Sequence, residues 1–96
     1  MDLLGKPVKI VDKGECLSTL NTLPQIKWNN QKLKNLSGKN EWKNHNFYPS
    51  NGLIGIVVDQ MSNPLWGFKV YIIEISNRYY VPMTLKGINE ISFDDF

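Results

Sequence analysis

Apolar and polar positions alternate in "PVKIVD", which sets Val8, Ile10 and Asp12 on one side of an extended chain and Lys9 and Val11 on the other, between Gly5 and Gly14. A period of two with β-branched residues predicts a first strand. The alternation is lost until Gly52, where "GLIGIVVD" begins a nearly continuous apolar run punctuated by Gly55. This predicts a second strand that bends sharply. "SNPLWG", Ser62 to Gly67, is a turn cluster, and "FKVYIIEIS" then places Phe68, Val70, Ile72 and Glu74 on one face and Lys69, Tyr71, Ile73 and Ile75 on the other. With both faces largely apolar, the third strand is expected in the sheet interior. Asn77 and Arg78 signal a tight hairpin into "YYVPM", because asparagine tolerates the left-handed backbone such turns need. Pro82 cannot donate to a ladder, so the fourth strand should end there or lie at an edge. "TLKG" reads as one helical turn and "INEIS" as a short fifth strand, and residues 92–96 form an acidic, aromatic and loosely held tail.

Residues 15–50 are a long excursion with no strand-like period. Thr22 before Pro24 marks a helix start that would run through Gln31 to Leu36, with Gly38 just past its end. Asn29, Asn30 and Asn35 weigh against the stability of that helix. The expected fold is all-β, a single domain over residues 1–96, with five strands and a partly irregular first excursion.

This order of elements, with "GKPVKIVDKG", "NGLIGIVVD" and "VYIIEISNRYYVPM" as its strand signatures, resembles the small five-stranded SH3-like barrels. It is similar to the KOW-type barrels of transcription and translation proteins and to SH3-like accessory subunits such as the variable chain of ferredoxin-thioredoxin reductase. The resemblance covers about two thirds of the chain and rests on strands and glycines, not on a chemical motif. It implies a barrel fold and leaves function to be argued from the site. The asparagine- and lysine-rich style of the chain also resembles small bacteriophage proteins or those of AT-rich bacteria.

At 96 residues the chain supports one modest core, since domains this small bury only about 60% of their unfolded surface. Cys16 is the only cysteine, which excludes an intramolecular disulfide and a multi-cysteine metal site and suits a reducing, cytoplasmic compartment. The opening "MDLLGKPVKIVDKG" lacks the pattern of an export signal, and no apolar run approaches the ~20 residues of a membrane span.

Charge changes the picture more. The net charge is +2, yet residues 1–24 sum to zero, residues 25–47 to +4 and residues 48–96 to −2. The whole positive excess lies in "KWNNQKLKNLSGKNEWKNHNF". Lys27, Lys32, Lys34, Lys39 and Lys43 would neutralise phosphates while Trp28 and Trp42, with Phe47 and Tyr48, stack on bases, a combination that suits single-stranded nucleic acid. The competing reading is a solvated loop whose aromatic rings pin it to the core. A second candidate surface is the aromatic group Trp66, Tyr71, Tyr79 and Tyr80, of a kind enriched at protein interfaces. Neighbours on a strand face opposite ways, so Tyr79 is expected inward with Val81 and Met83, and Tyr80 outward beside Trp66.

Catalysis finds little support in the residues. Cys16 and His45 would make a nucleophile and base only if the fold joined them, and neither carries a local signature. The carboxylates Asp12, Glu15, Asp59, Glu74 and Glu90 show no paired spacing, and there is no phosphate loop, dinucleotide fingerprint or metal-ligand cluster. The expectation is a non-enzymatic binding module without cofactor, metal or membrane, monomeric or weakly dimeric. Its partner would be nucleic acid through the lysine and tryptophan loop, or alternatively a protein, as in an accessory subunit or a phage-type inhibitor of a host enzyme.

Overall fold

In the computed structural model, which describes residues 2–17, 29–38, 48–62 and 67–96, five strands form one antiparallel sheet. They are β1 (Pro7–Ile10), β2 (Ile54–Ser62), β3 (Lys69–Ile75), β4 (Tyr79–Met83) and β5 (Ile88–Glu90), in the order β4-β3-β2-β1-β5. Among the described residues, one α-helix, α1 (Gln31–Gly38), lies in the chain between β1 and β2. The expected all-β class is borne out, with β3 flanked on both sides and Pro82 on the edge strand β4. The single helical turn is a 3-10 turn at Leu85–Gly87 leading directly into β5.

The β3–β4 hairpin turns one residue earlier than the sequence suggests. Ser76 and Asn77, both at φ 56°, are its central residues, and Arg78 N donates to Ile75 O at 3.2 Å. A turn with two left-handed residues matches the right-handed twist of the flanking strands, which explains why the chain accepts a serine in a conformation it disfavours.

Two apolar clusters occupy the two faces of the sheet. The inner one draws on every strand, through Val8 and Ile10, Val57, Tyr71, Ile73 and Ile75, Val81 and Met83, and Ile88, with Leu3 added from the segment before β1. The chain beyond β1 crosses to the opposite edge of the sheet, where Cys16 bridges Met83 and Leu17 N donates to Pro82 O at 2.9 Å. Close approach needs glycine at two points. A Cβ on Gly55 would stand 2.5 Å from the Glu74 carbonyl oxygen on β3, and one on Gly87 would stand 2.5 Å from the Met83 methyl carbon on β4.

The outer cluster is Leu33, Val70, Ile72 and Tyr80, with Leu17, Leu36, Val58 and Met61 packed against it. It forms because α1 lies on the outer face of β2, β3 and β4. Covering of both faces is why β3 reads as largely apolar on both sides.

A β-bulge makes this second layer possible. Val57 pairs with Ile73 and Asp59 with Ile72, so β2 advances two residues where β3 advances one. Val58 is the extra residue, and it reverses the alternation. Without it Asp59 would share the inner face with Val57. With it Asp59 shares the outer face with Ile72, 1% exposed, beneath the start of α1.

There its carboxylate meets the N-terminus of the helix. Oδ2 accepts from Asn29 N at 3.0 Å and Asn30 N at 3.1 Å, while Oδ1 accepts from Gln60 N at 2.9 Å and Asn29 Nδ2 at 3.3 Å. Asn30 is the N-cap: its Oδ1 accepts from Leu33 N at 3.1 Å, its carbonyl accepts from Lys34 N at 3.0 Å, and its Nδ2 donates to Val58 O at 3.1 Å. Asn29 and Asn30, two of the three asparagines counted against the helix, are therefore what attach it. An eight-residue helix is too short to persist alone, so packing and capping must hold it.

Replacing Asp59 by Ala is expected to destabilise the domain by about 2–4 kcal/mol, because several donors lose a charged acceptor at once. Urea unfolding gives that loss, and amide exchange should show α1 losing protection before β3. Unchanged protection of Leu33 and Lys34 would contradict this account of the helix.

Candidate functional site

The described members of the lysine stretch are Lys32 and Lys34, both exposed on α1. Lys32 is already engaged within the fold. Its Nζ lies 3.6 Å from Glu74 Oε2 and 5.5 Å from the centre of the Tyr80 ring, an ion pair and a cation–π contact that span helix and sheet. Hydrogen bonding with Tyr80, reinforced by Glu74, holds the Lys32 ammonium above the usual lysine range. Lys34 makes no ion pair with a described carboxylate. Lys27, Trp28, Lys39, Trp42, Lys43, His45, Phe47 and Trp66 lie outside the described residues, so their expected roles pass to the proposals below.

Tyr80 corrects the sequence reading. Expected outward, it is 1% exposed, because the helix covers the face that alternation alone leaves to solvent. Its neighbour Tyr79, expected inward, is half-buried, with the Arg78 guanidinium 5.3 Å from its ring centre. Burial is the main reason the Tyr80 phenol titrates above its ordinary range. Tyr80 is thus a packing residue under α1.

Cys16 packs against the inner cluster instead of standing in a polar site. It is half-buried there, and burial pushes its thiol above its ordinary range, which leaves little thiolate for chemistry near neutrality. Among the described residues, no group of three or more His, Cys, Asp or Glu side chains is arranged to hold a metal ion. No helix among them is long and apolar enough to cross a membrane.

The surface that sequence reading missed is a groove of about 570 Å³ between the chain leaving β1, the start of β3 and the 3-10 turn before β5. Glu15, Leu17, Phe68, Lys69, Tyr71, Thr84, Leu85 and Lys86 line it. Phe68 and Leu85 keep 37% and 44% of their surface exposed on its walls, and Tyr71, 1% exposed, lies at its base. Two polar contacts fix the shape: the Thr84 hydroxyl donates to Glu15 Oε2, and Thr84 N donates to Glu15 O at 3.3 Å. Glu15 is occupied in this way, whereas Lys69 and Lys86 are exposed on the rim and pair with no carboxylate among the described residues. Leu85 stands in the 3-10 turn and Phe68, counted in the third strand by alternation, lies just before β3, so no common period joins the two.

A second hollow, about 580 Å³, runs along Leu4, Asn29, Ile56, Val58 and Gln60. Its polar atoms already serve the attachment of α1, since Asn29, Asn30 and Gln60 are bonded to Asp59 or to β2. The geometry therefore defines a small all-β domain with an apolar, lysine-rimmed groove. Comparison with protein-family models, with curated proteins and with solved structures gives no match.

The tyrosine and lysine beneath and on α1 have a consequence for alkaline stability. Both keep their protons more tightly in the folded chain than their ordinary values near 10 allow. The stabilisation they give is complete below those ordinary values and is lost as pH rises through the folded ones. Stability measured in urea should fall above about pH 10, and Tyr80→Phe should flatten that fall. Equal slopes for the two proteins would show that the phenol does not contribute.

Proposed function

We propose that this chain is a non-enzymatic module of SH3-like type that captures a segment of another protein in the groove between Phe68 and Leu85. The observation that carries this reading is the pairing of exposed apolar walls with a base whose shape is held by the Glu15–Thr84 contacts. Exposed aromatic and aliphatic side chains around a preformed cleft give an incoming side chain apolar area at small ordering cost. The strand order and the 3-10 turn before β5 support the barrel reading. The partner is a protein, as for an accessory subunit or a regulator of a host enzyme, and the surface is the groove, not one built on the buried Tyr80.

Leu85→Asp tests it, since the substitution puts a charge on a groove wall at an exposed position and spares both clusters. Immobilised wild-type chain should retain a protein partner after nuclease treatment of the lysate. The variant, with its thermal transition within a few degrees of wild type, should retain at least about tenfold less. Equal retention by the two would remove the groove from consideration.

A second reading is favoured by the charge of +4 over residues 25–47 together with the exposed Lys34 and Tyr48, the latter 71% exposed. In it Lys27, Lys34, Lys39 and Lys43 contact phosphates, Trp28 and Trp42 stack on bases, and Lys32 contributes only by leaving Glu74. It predicts a change in tryptophan fluorescence on adding single-stranded oligonucleotide at low salt. The affinity should fall with a log–log salt slope of about −0.7 per phosphate contact. Unchanged fluorescence with single- and double-stranded oligonucleotides alike would eliminate this reading.

A further inference from the structure

The groove has walls that ask for apolar side chains and a rim that asks for carboxylates. The chain itself carries a segment of that chemistry. After β5, Ser92 caps a 3-10 turn at Phe93–Asp95 by accepting from Asp94 N at 3.2 Å, and Phe96 N donates to Phe93 O at 3.1 Å. Three residues per turn set positions 93 and 96 above one another. Phe93 and Phe96 are the most exposed large apolar side chains described after Tyr48, at 65% and 61%. Asp94 and Asp95 between them are both exposed.

We infer that the groove of one copy receives the Phe93–Phe96 segment of a second copy, the two rings entering between Phe68 and Leu85 and the two carboxylates meeting Lys69 and Lys86. The inference rests on the groove being a protein-binding site. Charge complementarity selects this occupant: two lysines without a carboxylate among the described residues face two exposed aspartates flanked by exposed rings. Placement favours a second copy over the same one. The segment leaves the far end of β5, where Ile91 N donates to Pro7 O at 3.1 Å, whereas Leu85 and Lys86 stand before β5 begins. The contact joins unlike surfaces, so it is head-to-tail, closing into a ring or extending as a chain according to the rotation between copies. Its small extent makes it weak and dependent on concentration.

Sedimentation equilibrium of the full chain at low salt, from about 10 µM to about 1 mM, should show a mass that rises with concentration and falls back when salt screens the ion pairs. Lys69→Glu with Lys86→Glu should remain monomeric, as should Asp94→Lys with Asp95→Lys. An equimolar mixture of these two double variants should associate again, because each groove then finds a tail of opposite charge. All four positions are exposed, so retained thermal transitions are expected and serve as the folding control. Three results overturn the inference: a monomeric wild type over the whole range, association that survives both charge reversals, or a mixture that stays monomeric. A monomeric wild type that still shows Leu85-dependent capture of a different protein also overturns it, and leaves the reading of the groove intact.

Discussion

The outer half of this small domain depends on one carboxylate. Asp59 is buried, and a buried carboxylate persists only where donors replace the water it has lost. The backbone N–H groups of Asn29 and Asn30 supply that replacement at a helix start, where the partial positive charge of the peptide dipoles adds to it. The dependence is mutual: the helix end needs an acceptor, and the carboxylate needs the helix end. Leu33, Leu36 and Tyr80 then have a layer to pack into, and the outer face of β3 is kept from solvent.

What places the carboxylate is a single extra residue in β2. The bulge at Val58 changes which side of the sheet the following side chains address, so Gln60 faces inward, where its Oε1 accepts from Leu3 N at 3.0 Å, and Met61 faces outward. One irregularity in the ladder thus serves both layers. It ties the segment before β1 to the inner cluster and α1 to the outer one.

Much of the strand plan was legible in the sequence. Val8 and Ile10 alternate with Lys9, the run from Phe68 to Ile75 is apolar on both sides, and "TLKG" followed by "INE" marks the turn and the last strand. What alternation does not encode is the bulge, since "IVVD" is apolar enough to fit either register, and this hid the role of Asp59. The same gap explains Tyr80, whose burial follows from a helix distant in sequence. Asparagine propensity misled for a related reason: Asn29 and Asn30 disfavour a helix interior, but they stand at its start, where side-chain acceptors and donors are wanted. The groove was not legible at all, because its lining comes from three separate segments and its residues obey no common period.

Attachment of α1 to the sheet also alters the topology of the connection between β1 and β2. Between residue 17 and residue 48 the helix is a fixed post, so the connection is divided into two separate spans of sequence, 18–28 and 39–47. The entropy of closing a loop grows only logarithmically with its length, so either span can gain or lose residues at little thermodynamic cost. A change of length in one span does not move the ends of the other. The sequences on either side of the helix can therefore vary separately, in length as well as composition, over an unaltered scaffold.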